Sequence, residues 1–264
     1  MTDSTRPVIA LLTDFGLSDP YVGMMKAAIL EIAPDAAIID ISHDIRPQAL
    51  RQGAFLLAAS LPYLPEPSVT VAVVDPGVGT DRRPLALRVD RRWLVGPDNG
   101  LFSRVWSAAP SGSRRAYLLD RPEYWRPIVS NTFHGRDIFA PVAAHLAAGA
   151  DIVQIGSPIL QIEPIPATGP EQAADGGWRL TIEHIDHFGN LITNLPVADL
   201  PGPSGSLTFT IAGESATGIG SNYDSSDRLI AVVGSLDYLE IAAPSGSAAE
   251  ITRASIGDFI IMST

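Results

Sequence analysis

The stretch PVIALLTDFGLSDPYVGMMKAAILEIAPDAAIIDIS, residues 7–42, decides the predicted fold. It opens with the apolar run PVIALLT, which predicts a buried strand that ends in the turn TDFG. Ser18 and Pro20 then precede apolar residues at helical spacing, which predicts a helix with a hydroxyl cap and a proline in its first turn. The run AAIIDIS predicts a second buried strand. A strand, a helix and another strand in succession favour a parallel sheet with helices packed on its faces.

The same alternation of strands and helices continues to residue 165. Because it does, we predict an α/β N-terminal domain with a mainly parallel sheet, whose last helix is closed by Gly149. In such sheets ligands bind beyond the carboxyl ends of the strands, which is where the segments TDFG and VVDPGVGT lie. The later predicted elements are a helix at 47–64, a strand at 68–74, a hairpin at 85–100 and a helix at 135–150.

A segment rich in Pro, Gly and Ala, PIPATGPEQAADGG (164–177), is the best domain boundary in the chain. Beyond it, short apolar runs alternate with turn residues and no long helix is predicted, which is typical of an antiparallel β-barrel. We therefore predict an α/β N-terminal domain over 1–165, a linker over 166–177 and a C-terminal antiparallel β-barrel domain over 178–264.

Composition and charge exclude several classes of protein. Of the 264 residues, 46% are hydrophobic and 18% are charged, which suits globular domains and not a disordered chain. The formal net charge is −11 and the 18 Lys and Arg residues are scattered, so we expect no nucleic acid partner. No apolar run reaches the roughly 18–20 residues that span a bilayer, and the N-terminus lacks a secretory cleavage site. The chain has no cysteine, and we predict a cytoplasmic protein without disulfides or membrane contact.

Polar clusters interrupt the apolar pattern beside the predicted strands. The loop VVDPGVGTDRR (73–83) leaves an apolar strand, turns through two glycines and ends in charge, which suits a site that positions a small reactive molecule. The candidates are Asp14 in LLTDFG, Asp75 and Arg82 in VVDPGVGTDRR, His134 in NTFHGRD, the segment Asp186 to Asn190 in IDHFGN, and Ser235 in VVGSLDYLEI.

Each of these clusters also has a purely structural interpretation. Asp14 could cap a turn, and His134 could make a structural hydrogen bond. The glycines of DPGVGT could serve only backbone conformations with positive φ, and DHFGN could be an ordinary β-turn. The Gly-rich loop lacks the lysine and hydroxyl of the phosphate-binding pattern GxxxxGK[ST], which argues against a nucleoside triphosphatase.

A metal site is a further alternative, because carboxylates and imidazole are suitable ligands for hard or borderline ions. No pair of these residues has a helical metal-binding spacing, and the charges of Arg82 and Arg136 oppose a bound cation. We therefore expect no metal. The possible ligands are Asp14, Asp75, His134 and Asp186.

Taken together and in order, the motifs resemble one family over almost the whole chain. They are similar to the S-adenosyl-L-methionine (SAM) hydroxide adenosyltransferases, which are adenosine-forming SAM hydrolases related to fluorinating and chlorinating enzymes that act on SAM. The motifs that carry the resemblance are LLTDFG, VVDPGVGT, GPDNGLF, NTFHGRDIFAP and IDHFGNLITN.

The resemblance implies a fold, an assembly and a reaction. The fold is an N-terminal α/β domain with a C-terminal β-barrel, and the assembly is a homotrimer with sites between subunits. The reaction is hydrolysis of SAM, the substrate, to adenosine and L-methionine, with no cofactor. The matching residues that handle the water are Asp75, Arg82 and His134. The sequence leaves open whether Asp75 or His134 takes the proton.

Substrate-binding residues are implied by the same resemblance. Asp14 matches the aspartate that binds the ribose diol, Asp186 the residue at the methionine ammonium, and Ser235 a hydroxyl near the methionine carboxylate. Phe188 and Asn190 match the residues that contact adenine, and Tyr223 matches a stacking partner. Asp19 matches a residue that supports the binding residues without touching the substrate.

Departures from the relatives separate the alternatives. The halogenating relatives carry a Tyr-Ser pair where this chain has His134 and Gly135, which favours hydroxide over halide as the nucleophile. Gln48 stands where the fluorinating relatives carry a tryptophan. Near the residues matched to the methionine end of SAM, this chain also differs from the relatives at Gly234, Leu236 and His187. The alternatives are a halide-dependent adenosyltransferase, a non-catalytic adenosine- or SAM-binding protein, and a metal-dependent hydrolase of another substrate.

Overall fold

The computed structural model of the chain describes residues 6–166, 169–173, 176–201, 206–223 and 228–263. The chain divides into two units, Met1–Pro166 and Ala167–Thr264. The predicted domain boundaries, with a separate linker over 166–177, stay a prediction. None of the helices in the described ranges is long and apolar enough to cross a membrane.

A seven-stranded sheet forms the centre of the first unit. Its strands are β1 (Val8–Thr13), β2 (Ala37–Ser42), β3 (Ser68–Val73), β4 (Pro84–Val89), β5 (Arg92–Pro97), β6 (Arg114–Leu118) and β7 (Ser157–Ile159). Their order is β2-β1-β3-β5-β4-β6-β7. The pairs β1–β2, β1–β3 and β3–β5 are parallel, and the pairs β4–β5, β4–β6 and β6–β7 are antiparallel. Five of the seven strands therefore run in one direction, which confirms the predicted α/β class.

Helices cover both faces of this sheet. They are α1 (Tyr21–Ile32), α2 (Leu50–Ser60), α3 (Ser103–Ala108), α4 (Ala140–Ala147) and α5 (Ile152–Ile155). One buried cluster joins the sheet to α1 and α4, and a second joins its other face to α2 and α3. The central strand β3 is consequently buried along its whole length, and SVTVAV carries no charged residue.

Two local predictions for the first 42 residues are wrong. The strand AAIIDIS was expected to be buried, but β2 is an edge strand and is only partly covered. Ser18 was expected to cap the first helix, but α1 begins at Tyr21 with Pro20 at its N-cap and no side-chain cap hydrogen bond. The fixed φ of proline already starts the helical turn there.

The second unit is a nearly closed barrel. Its strands are β8 (Glu171–Gln172), β9 (Trp178–Ile185), β10 (Leu191–Pro196), β11 (Thr208–Ile211), β12 (Glu214–Thr217), β13 (Ile219–Gly220), β14 (Ile230–Val233), β15 (Tyr238–Ala242) and β16 (Phe259–Ser263), and the α-helix α6 (Ala248–Thr252) precedes β16. The order is β12-β11-β16-β9-β10-β15-β14-β13, with β8 beside β9. Every pair is antiparallel except β13–β14, and β12 contacts β14 across the opening. The predicted β-barrel is confirmed.

The register of the first sheet brings two candidate loops together. Thr13 at the end of β1 pairs with Val73 at the end of the parallel strand β3. Asp14 follows Thr13 directly and Asp75 lies two residues after Val73, so both carboxylates leave the sheet at the same edge.

Candidate active site

A cavity of about 390 Å³ opens at the carboxyl ends of β1 and β3. Asp14, Asp75 and His134 line it. Apolar walls come from the rings of Phe15, Tyr21 and Phe133, which pack edge to face in a triangle. The cavity thus combines three predicted polar residues with aromatic surface.

Asp75 and Arg82 form a buried ion pair at this cavity. Arg82 Nε donates to Asp75 Oδ1 at 3.0 Å, and Arg82 Nη2 donates to Asp75 Oδ2 at 2.5 Å. The two side chains are only 5% and 8% exposed. A bidentate pair of this kind fixes the plane of the carboxylate as well as its charge. The loop DPGVGTDR therefore turns back on itself so that its first and eighth residues meet.

The guanidinium also contacts His134. Arg82 Nη2 lies 2.7 Å from His134 Nδ1. A guanidinium has only donors, so Nδ1 must accept and the neutral ring must carry its hydrogen on Nε2. Burial, followed by the positive charge of Arg82, lowers the pKa of His134 below its usual value of 6.5. Arg82 is further held over the ring of Phe139 at 5.1 Å.

His134 is positioned by an irregular helix start. The sequence predicted one continuous helix over 135–150, whereas Gly135–Phe139 form a single π-helical turn that precedes α4. The buried carboxylate of Asp137 accepts from Arg136 Nε at 2.6 Å and from Ser130 N at 2.9 Å. These bonds tie the loop before His134 to the turn after it. Such π turns are frequent at functional sites.

Space at the first residue of this turn is limited. A Cβ at Gly135 would lie 3.3 Å from Met25 Sδ and 3.4 Å from ring carbons of Phe133 and Phe15. The glycine therefore lets the backbone beside His134 approach the aromatic triangle closely.

Asp14 is oriented by a neighbouring loop. Its Oδ2 accepts a hydrogen bond from the backbone N–H of Gln48 at 2.8 Å. Burial raises the pKa of Asp14 above its usual value; the Gln48 hydrogen bond opposes the rise and the charge of Asp75 adds to it. Asp19, predicted to stand behind the binding residues, is exposed and does not line this cavity.

In the second unit, Asp186 organises the turn DHFGN. Its Oδ1 accepts from the backbone N–H groups of Phe188 and Asn190 at 2.9 Å, and its Oδ2 accepts from Asn190 Nδ2 at 2.9 Å. Gly189 adopts φ +83°, and a Cβ there would lie 2.0 Å from Ser247 Oγ, so only glycine fits. The turn buries Asn190 and leaves the ring of Phe188 73% exposed.

Tyr223 has a carboxylate partner that the sequence did not suggest. Its hydroxyl donates to Glu240 Oε1 at 2.5 Å, and this bond, with burial, raises the pKa of Tyr223 to about 12. Glu240 is itself buried, and burial raises its pKa, to which the charge of Asp186 adds. Glu240 lies in the apolar run YLEIA, where a charge among buried residues was the available signal. Ser235 is exposed in the turn between β14 and β15.

The structure thus brings Asp14, Asp75, Arg82 and His134 together in the first unit. In the second unit it joins Asp186 to Phe188 and Asn190, and Tyr223 to Glu240. Among the described residues, no three His, Cys, Asp or Glu side chains form a group that could hold a metal ion.

Two family models match the chain. The model of the SAM hydroxide adenosyltransferase N-terminal domain matches residues 9–156, and that of the C-terminal domain matches residues 180–261. The chain belongs to the SAM hydroxide adenosyltransferase family. The resemblance inferred from the motifs is confirmed.

Relatives of this SAM hydroxide adenosyltransferase family member carry two kinds of name. A Thermus thermophilus protein named (R)-S-adenosyl-L-methionine hydrolase is 42% identical over 93% of this chain and 94% of its own. A Nocardia brasiliensis protein named fluorinase is 30% identical over 75% of this chain and 74% of its own. The crystal structure of an uncharacterized conserved protein from Thermotoga maritima superposes with a TM-score of 0.89 at 31% identity, covering 97% of this chain and all of the other.

Proposed function

We propose that this protein hydrolyses SAM to adenosine and L-methionine. The observation that carries the proposal is the hydrogen-bonded series Asp75–Arg82–His134 at a cavity that also holds Asp14. The names of the hydrolase relatives, at about 42% identity, support the same reaction. Those names specify the (R) sulfonium epimer, and we propose that epimer as the substrate.

The reaction needs an activated nucleophile and little else. The oxygen of water forms a bond to C5′ of the ribose while the C5′–S bond breaks, and the electron pair of that bond returns to sulfur. Methionine leaves as a neutral thioether, so the leaving group needs no proton. One proton is released from the water. Alignment of the water behind C5′ lowers the barrier, and well-aligned reactants gain up to about 7–11 kcal/mol in this way.

The three polar side chains divide the handling of water between them. His134 Nδ1 is occupied by Arg82, so the ring offers an Nε2–H donor and does not act as the base. Asp75 lines the cavity, and its Oδ1 accepts one hydrogen bond from Arg82 and has a further lone pair, so Asp75 is the acceptor for the proton. A carboxylate is a weak base, but the attacking water becomes strongly acidic once its bond to carbon forms, so transfer late in the step suffices. Arg82 keeps the carboxylate of Asp75 oriented.

Substrate binding completes the proposal. Asp14 Oδ1 is not used by Gln48 and accepts from the ribose hydroxyls. Asp186 and Ser235 bind the methionine end, and the exposed ring of Phe188 packs on adenine. Asn190 reads the adenine edge, and Tyr223 stacks beside it.

We further propose a homotrimer with sites between subunits, and catalysis without metal or cofactor. Exposed apolar side chains near the cavity support an interface between subunits. Tyr21 and Met24 line a second surface pocket, and Ile128 lines a third. Light scattering of the purified protein tests the trimer, and a monomer at micromolar concentration would contradict it.

The function is tested by incubating the protein with SAM of defined sulfonium configuration. We expect adenosine and methionine in equal amounts from the (R) epimer, unchanged by a chelator, and little from the (S) epimer. Asp75→Asn serves as the inactive reference. Intact SAM after prolonged incubation would refute the proposal. A halonucleoside formed on adding chloride or fluoride would favour the halide transfer suggested by the fluorinase relative.

A further inference from the structure

A buried histidine outside the cavity contacts the loop that carries Asp14. His43 follows β2 and is 3% exposed, and Thr13, the last residue of β1, is fully buried. His43 Nδ1 lies 2.8 Å from Thr13 Oγ1. The same Thr13 oxygen accepts the backbone N–H of Phe15 at 3.3 Å. The threonine oxygen therefore bonds both the ring and the loop, which fixes its rotamer.

The backbone of His43 holds the same loop on its other side. The carbonyl oxygen of His43 accepts the backbone N–H of Gly16 at 2.8 Å. Asp14 thus lies between two contacts with a single residue, the Thr13 contact before it and the Gly16 contact after it. These two contacts fix the backbone of Asp14 independently of its carboxylate.

The outer edge of the ring faces a carboxylate at ion-pair distance. His43 Nε2 lies 3.1 Å from Asp40 Oδ1, and Asp40 Oδ2 accepts from Lys26 Nζ at 2.6 Å. Lys26 belongs to α1, the helix that follows the Asp14 loop. Strand β1, strand β2 and helix α1 are therefore tied together through one imidazole.

The same β2–α2 connection sets the carboxylate of Asp14. Gln48, five residues after His43, donates its backbone N–H to Asp14 Oδ2 at 2.8 Å. Gln48 has φ +66°, a conformation that costs a non-glycine residue free energy and is found where the surroundings enforce it. One connection therefore fixes the backbone of Asp14 through His43 and its side chain through Gln48.

We propose that His43, held by Thr13 and Asp40, is a positioning residue that sets Asp14 for the ribose hydroxyls. The inference rests on the proposed function for the identity of the ligand. His43 touches no substrate and acts through Asp14 alone. Its loss should weaken recognition of the ribose diol and leave other parts of the nucleoside site unchanged.

The test compares Thr13→Val, which keeps the shape and loses the hydroxyl, with Thr13→Ser, which keeps the hydroxyl. We measure KM and kcat for SAM, and the Kd of adenosine and of 2′-deoxyadenosine by calorimetry. In Thr13→Val we expect KM to rise about ten-fold, the loss of one well-oriented hydrogen bond, with the preference for adenosine over 2′-deoxyadenosine reduced. Thr13→Ser should keep both values near those of the wild type. His145→Gln, on α4 and outside the cavity, is the control.

A double-mutant cycle separates positioning from a general loss of structure. If His43 acts through Asp14, His43→Ala should add little to the effect of Asp14→Ala on adenosine binding. Additive losses, or a lower kcat with unchanged KM and unchanged 2′-deoxyadenosine discrimination, would overturn the proposal. Should Thr13→Val fail to fold, His43→Gln in the same measurements decides. A wild type that binds adenosine without hydrolysing SAM refutes the proposed function alone, and one that does neither refutes both.

Discussion

Arg82 donates a hydrogen bond to Nδ1 of His134 across 2.7 Å, although 52 residues separate them in the chain. The contact excludes a proton from Nδ1, because a proton there would face the guanidinium hydrogen. Burial, which disfavours the charged ring, and then the positive charge of Arg82 lower the pKa of His134. The imidazole is thereby a neutral donor in the proposed reaction, with Asp75 as the proton acceptor.

Acid should inactivate the protein through His134. As pH falls through the lowered pKa, the ring protonates and the Arg82 contact breaks, so kcat/KM should stay level at neutral pH and decline only below 6.5. The unfolded chain binds this proton more readily than the folded one. The free energy of unfolding should therefore also decrease as pH drops below 6.5, levelling off below the folded pKa. Urea titrations at several pH values measure this, and an identical pH dependence in His134→Gln would contradict it.

Replacing the guanidinium of Arg82 should lower kcat and leave the affinity for SAM nearly unchanged. Arg82→Lys keeps the positive charge but cannot bind Asp75 in bidentate fashion and His134 at once. We expect kcat to fall about a hundred-fold or more, with a small change in KM. Arg83→Lys is the matched control, because Arg83 pairs with Asp98 away from the cavity. Equal effects of the two substitutions would show that the loss is structural.

Asp14→Asn should weaken adenosine binding and stabilise the folded protein. The pKa of Asp14 is raised, chiefly by burial, so its ionised form is disfavoured in the folded protein. An amide removes that penalty and still accepts from Gln48. We expect the midpoint of thermal unfolding to rise by about 2 °C at neutral pH, while adenosine affinity falls about ten-fold. The gain should shrink as pH falls through the raised pKa, where Asp14 becomes neutral too. A stabilisation that is independent of pH, or equal to that of the exposed Asp35→Asn, would contradict this explanation.

Tyr223 should titrate later than an ordinary tyrosine. Its hydrogen bond to Glu240 holds its pKa at about 12, so its ultraviolet ionisation step should appear above pH 10 and disappear in Tyr223→Phe. Since the folded pKa exceeds the unfolded one, this contribution to stability is complete below pH 10 and is lost between pH 10 and about 12. Tyr223→Phe also leaves the buried Glu240 without its donor, at a cost of about 1–3 kcal/mol. If Glu240→Gln in that background restores no stability, the assignment is wrong.

Periodicity predicted the part of the site that follows from the parallel sheet. The predicted strands ending at Thr13 and Val74 each lead into an aspartate, and parallel pairing of neighbouring strands brings such ends together. No local sequence pattern predicted that Arg82 would contact both Asp75 and His134. Those contacts depend on a loop that folds back on itself and on a π turn far away in the chain.

Contacts between separate secondary-structure elements could not be predicted from the sequence for a similar reason. His43 looks like an ordinary polar residue after a strand, and its role depends on the threonine across the sheet. Gln48 gives no sign of a left-handed backbone, which its surroundings impose. Glu240 could be recognised only as a charge in an apolar strand.

The close fit around Gly135 bears on how this scaffold could change its chemistry in evolution. The family resemblance drawn from the motifs implies a Tyr-Ser pair in the halogenating relatives at the positions of His134 and Gly135. A serine here would press on Met25 and on two rings of the aromatic triangle, all within 3.4 Å of its first carbon. Side chains packed this tightly must rearrange before a larger residue fits. On this scaffold, an exchange of His-Gly for Tyr-Ser would therefore have to be accompanied by a shift of Met25 and the aromatic wall by a few tenths of an ångström.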